Sequence, residues 1–307
     1  MEYRDFGATG LRVSEVGLGC GPLGADPDTN YTPLLSRALD LGINFFDSAD
    51  FYSDYRSEEW LGRALSSRRD EVIIATKFGT IPGKGKDFSI AHMRRSLEES
   101  LRRLRTDHID IYQLHSPPHS VLDDQELLAE LHKLKDEGKI RFYGISLDGS
   151  AFARQTMDKW QPDAIQILFN LFNLEPAGCF QQAAQQGVGV IIKSPLDSGM
   201  LGGDLTPGSP LKEDDPRPRW GDEGTAERLR YLELLRFLTA GGARTIAQAA
   251  LQFVLSFQAV SVAIPGTTSV KHLEDNASAA GVKLTDDELG HLRSLLRGDF
   301  ADLNLGW

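Results

Sequence analysis

Residues 71–115 read EVIIATKFGTIPGKGKDFSIAHMRRSLEESLRRLRTDHIDIYQLH, and a fold class is already visible in them. The stretch opens with EVIIATKF (71–78), apolar without alternation, as expected of a strand covered on both faces. Residues 89–106 follow, with Met93, Leu97, Leu101 and Leu104 on one stripe and charge elsewhere, which is the period of an amphipathic helix. A second apolar run, HIDIYQLH (108–115), completes the unit. Strand, helix and strand in this order predict two parallel strands joined by a crossover.

The same unit recurs outward in both directions. Apolar runs lie at 15–21, 44–49, 142–147, 164–170, 187–195 and 259–266, which brings the total to eight. The intervening segment 123–139 begins with acids and ends with Lys and Gly, as a helix dipole and C-cap favour. Eight βα units in 307 residues predict a closed (β/α)8 TIM barrel rather than an open doubly wound sheet. No linker or composition shift divides the chain, so residues 1–307 are expected to form a single domain. The opening MEYRDFGATGLRVS, with Gly7 and Gly10 around a turn, is expected to be a hairpin closing the barrel bottom. Residues 199–225, rich in Pro, Gly and charge, predict a long functional loop at the C-terminal face.

Composition narrows the function classes. A formal net charge of −11 argues against a general nucleic-acid binder. The N-terminus has no basic-then-apolar signal pattern, and no apolar run approaches the ~18–20 residues of a membrane span. Cys20 and Cys179 make neither a disulfide framework nor a metal spacing. His92, His108, His119, His132 and His291 show no paired ligand spacing, so no metal is expected. The expectation is a soluble, reduced, cytoplasmic protein with no membrane or nucleic-acid partner; oligomeric state is not legible. Cys20 reads as a small core residue, GKGK (83–86) as a flexible basic loop lip, and LRRLR (101–105) as a helix face with solvated arginines.

Barrel active sites collect at the C-terminal ends of the strands. The second run ends at Asp47 with Tyr52 just beyond it, the third at Lys77 and the fourth at His115. Each alone reads as a rim residue; together they suit one chemistry. A phenol is a weak acid near pH 7, an adjacent ammonium stabilises its phenolate, and a carboxylate holds that ammonium charged. A histidine can orient a carbonyl oxygen. Such a set protonates a carbonyl oxygen or deprotonates an alcohol, but the hydride must come from a cofactor. GCGPLG (19–24) matches GxGxxG, yet Pro27 follows closely and the next helix is expected to be capped only at Asp28 or Thr29. A Rossmann site is therefore not expected there. The glycines are read instead as allowing close approach of a flat ligand.

At this point the sequence resembles the aldo-keto reductase superfamily along essentially its whole length. GINFFDSADFY, SEEWLGRAL, ATKFG, SLEESLRRLRTDHIDIYQLH, GKIRFYGIS and IPGTTSVKHLEDN match in order, closer to the bacterial branches than to the vertebrate aldose reductases. The resemblance implies a barrel that binds NADP(H) extended across its mouth. Tyr52 would then be the general acid, tuned by Lys77 and Asp47, with His115 orienting a small-molecule carbonyl or alcohol. It implies Ser146 and Gln166 at the nicotinamide carboxamide, with Gly21 and Lys193 beside the ring. Ser194, Leu196, Ser198 and Gly199 would hold the pyrophosphate, and Gly266, Thr267, Thr268, His272, Asp275 and Asn276 the adenosine and its 2′-phosphate. Three positions depart from the pattern: Leu147 replaces a common asparagine, Lys193 a stacking aromatic, and His272 (beside Lys271) a phosphate-clamping arginine. NAD(H) use therefore stays open, as does the oxidative direction on a sugar or alcohol. A cofactor-sensing interaction module is a further reading. The pocket walls are expected to be apolar, from Trp220, Phe300, Leu303 and Trp307, with few fixed polar groups.

Overall fold

The computed structural model describes residues 1–203 and 221–297. Eight parallel strands coincide with the eight apolar runs. They are β1 (Leu18–Gly19), β2 (Phe45–Asp47), β3 (Ile73–Phe78), β4 (Ile109–His115), β5 (Ile140–Leu147), β6 (Ala164–Leu168), β7 (Gly189–Lys193) and β8 (Val260–Ala263). Each pairs with its neighbour in chain order. Bridges between Val16 and Ala263 and between Gly19 and Gly266 join the first strand to the last, so the sheet closes into a (β/α)8 barrel. Gly17 and Gly19 serve this seam: a Cβ on Gly19 would lie 2.7 Å from the Ile264 carbonyl oxygen.

The helices α1 (Thr32–Asp40), α2 (Arg56–Leu65), α3 (Ile90–Leu104), α4 (Gln125–Asp136), α5 (Ser150–Trp160) and α6 (Phe180–Gln186) fill the crossovers. They are followed by α7 (Gly221–Leu234), α8 (Ile246–Leu255), α9 (Val270–Ala277) and α10 (Asp286–Arg297). In α3 the stripe of Met93, Leu97, Leu101 and Leu104 is buried against the sheet, and Ser89 caps the helix by accepting the His92 N–H. Two expectations are corrected. The first helix begins at Thr32 with Pro33 in its first turn, because Asp26 binds the Asp28 N–H and the Thr29 hydroxyl and uses that segment as a turn. Arg103 is not solvated: it is buried and bonds the fully buried Glu58 at 2.7 Å, since a carboxylate inside α2 needs a countercharge.

The N-terminal hairpin pairs Tyr3–Asp5 with Arg12–Ser14. Its Phe6, Leu11 and Val13 pack on Phe45, Ile73 and Ala164, the first residues of β2, β3 and β6, and so plug the floor. The floor is thereby filled with apolar side chains. Among the described residues, no helix is long and apolar enough to cross a membrane.

Candidate active site at the barrel mouth

The strand ends converge on one carboxylate. Asp47, the last residue of β2, is 3% exposed; its Oδ1 accepts from Lys77 Nζ at 2.5 Å. Its Oδ2 accepts from Gln166 Nε2 at 2.6 Å and Gln113 Nε2 at 3.2 Å, so four strands meet at this group. Lys77, fully buried, also donates to the Ser48 carbonyl at 2.6 Å. Burial works against charge on Lys77, but Asp47 and then Tyr52 outweigh it, and its pKa lies above the ordinary value. Gln113 was not singled out from sequence. Its signal was period two: it stands two residues before His115 on β4, on the same face.

Tyr52 lies above this pair, with Lys77 Nζ 5.1 Å from its ring centroid. Its ring meets His115 edge-on, centroids 5.7 Å apart. Burial raises the phenol's pKa, Lys77 draws it down and Asp47 raises it again, with a net upward result. The lowering expected from the ammonium is thus present but outweighed by desolvation. Tyr52 holds its proton. His115 is drawn down to about 2 by burial, then by Lys77, Lys86 and Lys193, so the imidazole is neutral. The backbone after Tyr52 is left-handed at Ser53, Asp54 and Tyr55, a conformation uncommon outside glycine. It is clamped where Ser53 and Ser57 hydroxyls donate to the carbonyls of Gly21 and Cys20. Cys20 itself is fully buried, and burial lifts its thiol well above the usual range, as a core residue requires.

Asp50 supports the same loop from behind. Its carboxyl is 5% exposed and accepts from Ser96 at 2.7 Å, and burial with nearby Glu58 raises it from 3.8 to about 6. A carboxyl with a raised folded-state pKa is penalised as pH rises from 3.8 through 6. Asp50→Asn is therefore expected to stabilise the fold at pH 7 by up to about 3 kcal/mol. The gain should vanish below 3.8 in thermal melts across pH; an equal gain at all pH would show that the carboxyl is not strained by ionisation.

The residues assigned to a cofactor fall into two groups. In the mouth, Ser146 and Gln166 are register partners on β5 and β6, and Ser146 Oγ donates to Gln166 Oε1 at 3.2 Å. Lys193 ends β7 and donates to Ser146 Oγ at 3.3 Å. Gly21 faces the Tyr52 ring, where an added Cβ would sit at an ordinary 3.7 Å; neither packing nor backbone angle demands glycine, but a bare Cα leaves room beside the phenol. Gly19 belongs to the seam, and Gly24 is a left-handed turn against α2. Beyond Lys193 the chain turns left-handed at Ser194, Asp197, Ser198 and Gly199, with Leu196 among them. Buried Asp197 anchors that turn to Arg228 of α7 at 2.9 Å.

The second group surrounds a cavity of about 670 Å³, where Gly202 and Gly203 at the end of that turn meet the start of α9. Lys271, His272, Asp275, Arg236 and Arg244 line it. Both arginines are already paired, with Glu233 and Glu288. Asp275 is committed to Thr245 and Gln248, each at 2.8 Å. Thr268 and Gly266 are exposed nearby, whereas Thr267 and Asn276 are buried. The described part of the mouth carries the polar groups Lys86, Lys193 and Asp148. Trp220, Phe300, Leu303 and Trp307 lie outside the described residues, as does most of the long loop.

Residues 15–297 match the Aldo/keto reductase family. The chain is 32% identical over 314 residues to the uncharacterized oxidoreductase YqkF of Bacillus subtilis (strain 168), covering 97% of this chain and 98% of that one. It is 33% identical over 300 residues to L-galactose dehydrogenase of Arabidopsis thaliana, covering 91% and 88%. Among solved structures, the aldo-keto reductase AKR11C1 of Bacillus halodurans in its holo form superposes with a TM-score of 0.80 at 31% identity, covering 96% of each chain. The glycerol dehydrogenase AKR11B4 of Gluconobacter oxydans gives 0.83 at 27% identity, covering 97% of this chain and 94% of that one. A closed barrel whose strand ends meet at Asp47, matched to this family over nearly its full length, belongs to it: the chain is an aldo/keto reductase family oxidoreductase.

Proposed function

We propose that this oxidoreductase interconverts an aldehyde or ketone and its alcohol using NAD(P)(H), with NADP(H) preferred. The observation that carries the reading is the fully desolvated Asp47–Lys77 pair beneath a protonated Tyr52. In reduction, Tyr52 gives its proton to the carbonyl oxygen, and the Lys77 ammonium stabilises the phenolate left behind. Asp47 keeps Lys77 charged and in place, while neutral His115 offers an N–H to orient the carbonyl. Run in reverse, the Tyr52 phenolate takes the alcohol's proton. The residues fit an extended dinucleotide: space beside Gly21, the Ser146–Gln166 pair, the left-handed turn after β7, and the cavity at α9 with Lys271 and His272 in its lining. When bound, the nicotinamide supplies or accepts the hydride.

The relatives named as L-galactose and glycerol dehydrogenases favour the oxidative direction as a second reading. Tryptophan-fluorescence titration with NADPH and NADH tests the cofactor. Tighter NADPH binding supports NADP(H), tighter NADH binding the second reading, and binding of neither overturns the proposal. In the same titration His272→Arg is expected to tighten NADPH relative to NADH by about tenfold, because a guanidinium clamps phosphate bidentately. An unchanged ratio would put the 2′-phosphate elsewhere.

A further inference from the structure

The hairpin expected as a flexible lip is an ordered element. Thr80–Ile81 pairs with Gly85–Lys86, and Lys86 Nζ donates to Thr80 Oγ1 at 2.6 Å and to the His115 carbonyl at 2.8 Å. Both acceptors are neutral, so the Lys86 charge is not cancelled by them. Across the mouth, Lys193 Nζ is held by the Ser146 hydroxyl and by Asp148 Oδ1 at 3.0 Å. His115 and Ser146 are register partners on β4 and β5, adjacent strands about 4.8 Å apart. The two ammonium groups are thus tethered to neighbouring residues, one of which is His115.

At the rim two lysines meet one carboxylate, while Asp50 is buried behind the Tyr52 loop and bonded to Ser96. Lys77 is matched by Asp47, and Asp148 matches at most one of the other two lysines. Each ammonium has three N–H donors, of which two are used among the described residues. Asp148 is 69% exposed, so its bond to Lys193 is the weak, solvent-screened kind that another oxyanion can replace. Burial lowers the pKa of both lysines; Lys193 lowers Lys86 further, while Asp148 partly offsets burial at Lys193, a role another oxyanion can take.

We infer that the substrate carries an oxyanion, a carboxylate or a phosphate, a few bonds from the reacting carbon, bound between Lys86 and Lys193 with Asp148 displaced. This rests on the carbonyl–alcohol reading above. It makes Lys86 and Asp148 specificity residues above the proton-transfer groups, and gives Lys193 a substrate contact in addition to its place at the nicotinamide edge.

The test compares kcat/KM for matched pairs: 4-oxobutanoate against butanal, and glyceraldehyde 3-phosphate against glyceraldehyde. The wild type is expected to favour the anionic member of at least one pair by roughly tenfold, the value of one or two charge-assisted bonds. The pair that responds identifies carboxylate or phosphate. Lys86→Met and Lys193→Met should each bring that ratio toward parity, and Asp148→Asn should raise it. Turnover of the neutral aldehydes with no preference in either pair overturns the inference while leaving the oxidoreductase reading intact. So does a preference that survives both lysine substitutions. If no aldehyde turns over with either cofactor, it is the reading that fails. Calorimetric titration with succinate and with inorganic phosphate then decides the lysine pair directly, and absence of binding overturns it.

Discussion

Tyr52→Phe is expected to lower turnover by roughly a hundred- to ten-thousand-fold, the usual worth of a positioned proton donor. Cofactor affinity should hardly change, because the hydroxyl alone is removed and the ring still packs edge-on against His115. Stopped-flow reduction combined with fluorescence titration separates the two effects. The pH profile adds a check. Tyr52 titrates above its ordinary 10, so reduction should hold its rate through neutral pH, whereas alcohol oxidation should accelerate as pH rises. His115, at about 2, contributes no break near neutrality. A break near 6 would belong to Asp50 and should disappear in Asp50→Asn. Wild-type turnover in Tyr52→Phe would mean that another group delivers the proton.

The second large effect is on the fold itself. Lys77→Met leaves Asp47 as a carboxylate 3% exposed, with only the two amides of Gln113 and Gln166 to satisfy it. Removing one partner of a buried pair costs about 3–5 kcal/mol, and a thermal melt should show a fall of roughly 5–8 °C. The double variant Asp47→Asn/Lys77→Met should recover much of that loss, since the stranded charge is gone. It should remain inactive. If Lys77→Met melts with the wild type, the pair is not the desolvated unit described above.

Much of this was legible in the sequence because strand and helix write different periods into it. The apolar runs located every barrel strand, and the stripe of Met93, Leu97, Leu101 and Leu104 oriented α3. Strand-end position alone pointed to Asp47, Lys77 and His115. What escaped depends on neighbours far along the chain. Gln113 and Gln166 reach the same Asp47 oxygen from separate strands, and nothing in their local sequence announces a shared acceptor. Arg103 read as one solvated arginine among several because its partner Glu58 sits 45 residues away on another helix. Lys86 looked mobile among glycines, yet Gly83 and Gly85 supply the left-handed turn that lets the hairpin form. The phenol's direction of shift was misjudged for a related reason: burial is a property of the assembled mouth, not of the lysine beside it.

The barrel is closed by few bonds. Among the described residues, its two bridges are made by Gly17 N–H to the Ala263 carbonyl, Ala263 N–H to the Glu15 carbonyl and Gly19 N–H to the Pro265 carbonyl. These contacts link the first twenty residues to the last forty-five, so no growing chain can form them until nearly all of it has been synthesised. Contacts of such separation slow folding, because the entropy of closing so long a loop is lost before any bond rewards it. The seam should therefore be the last part of the barrel to form and an early place for it to breathe. Asp47 is the strand-end residue beside Gly19, one step from that seam. Opening of the seam should therefore reach the neighbour of Asp47 first.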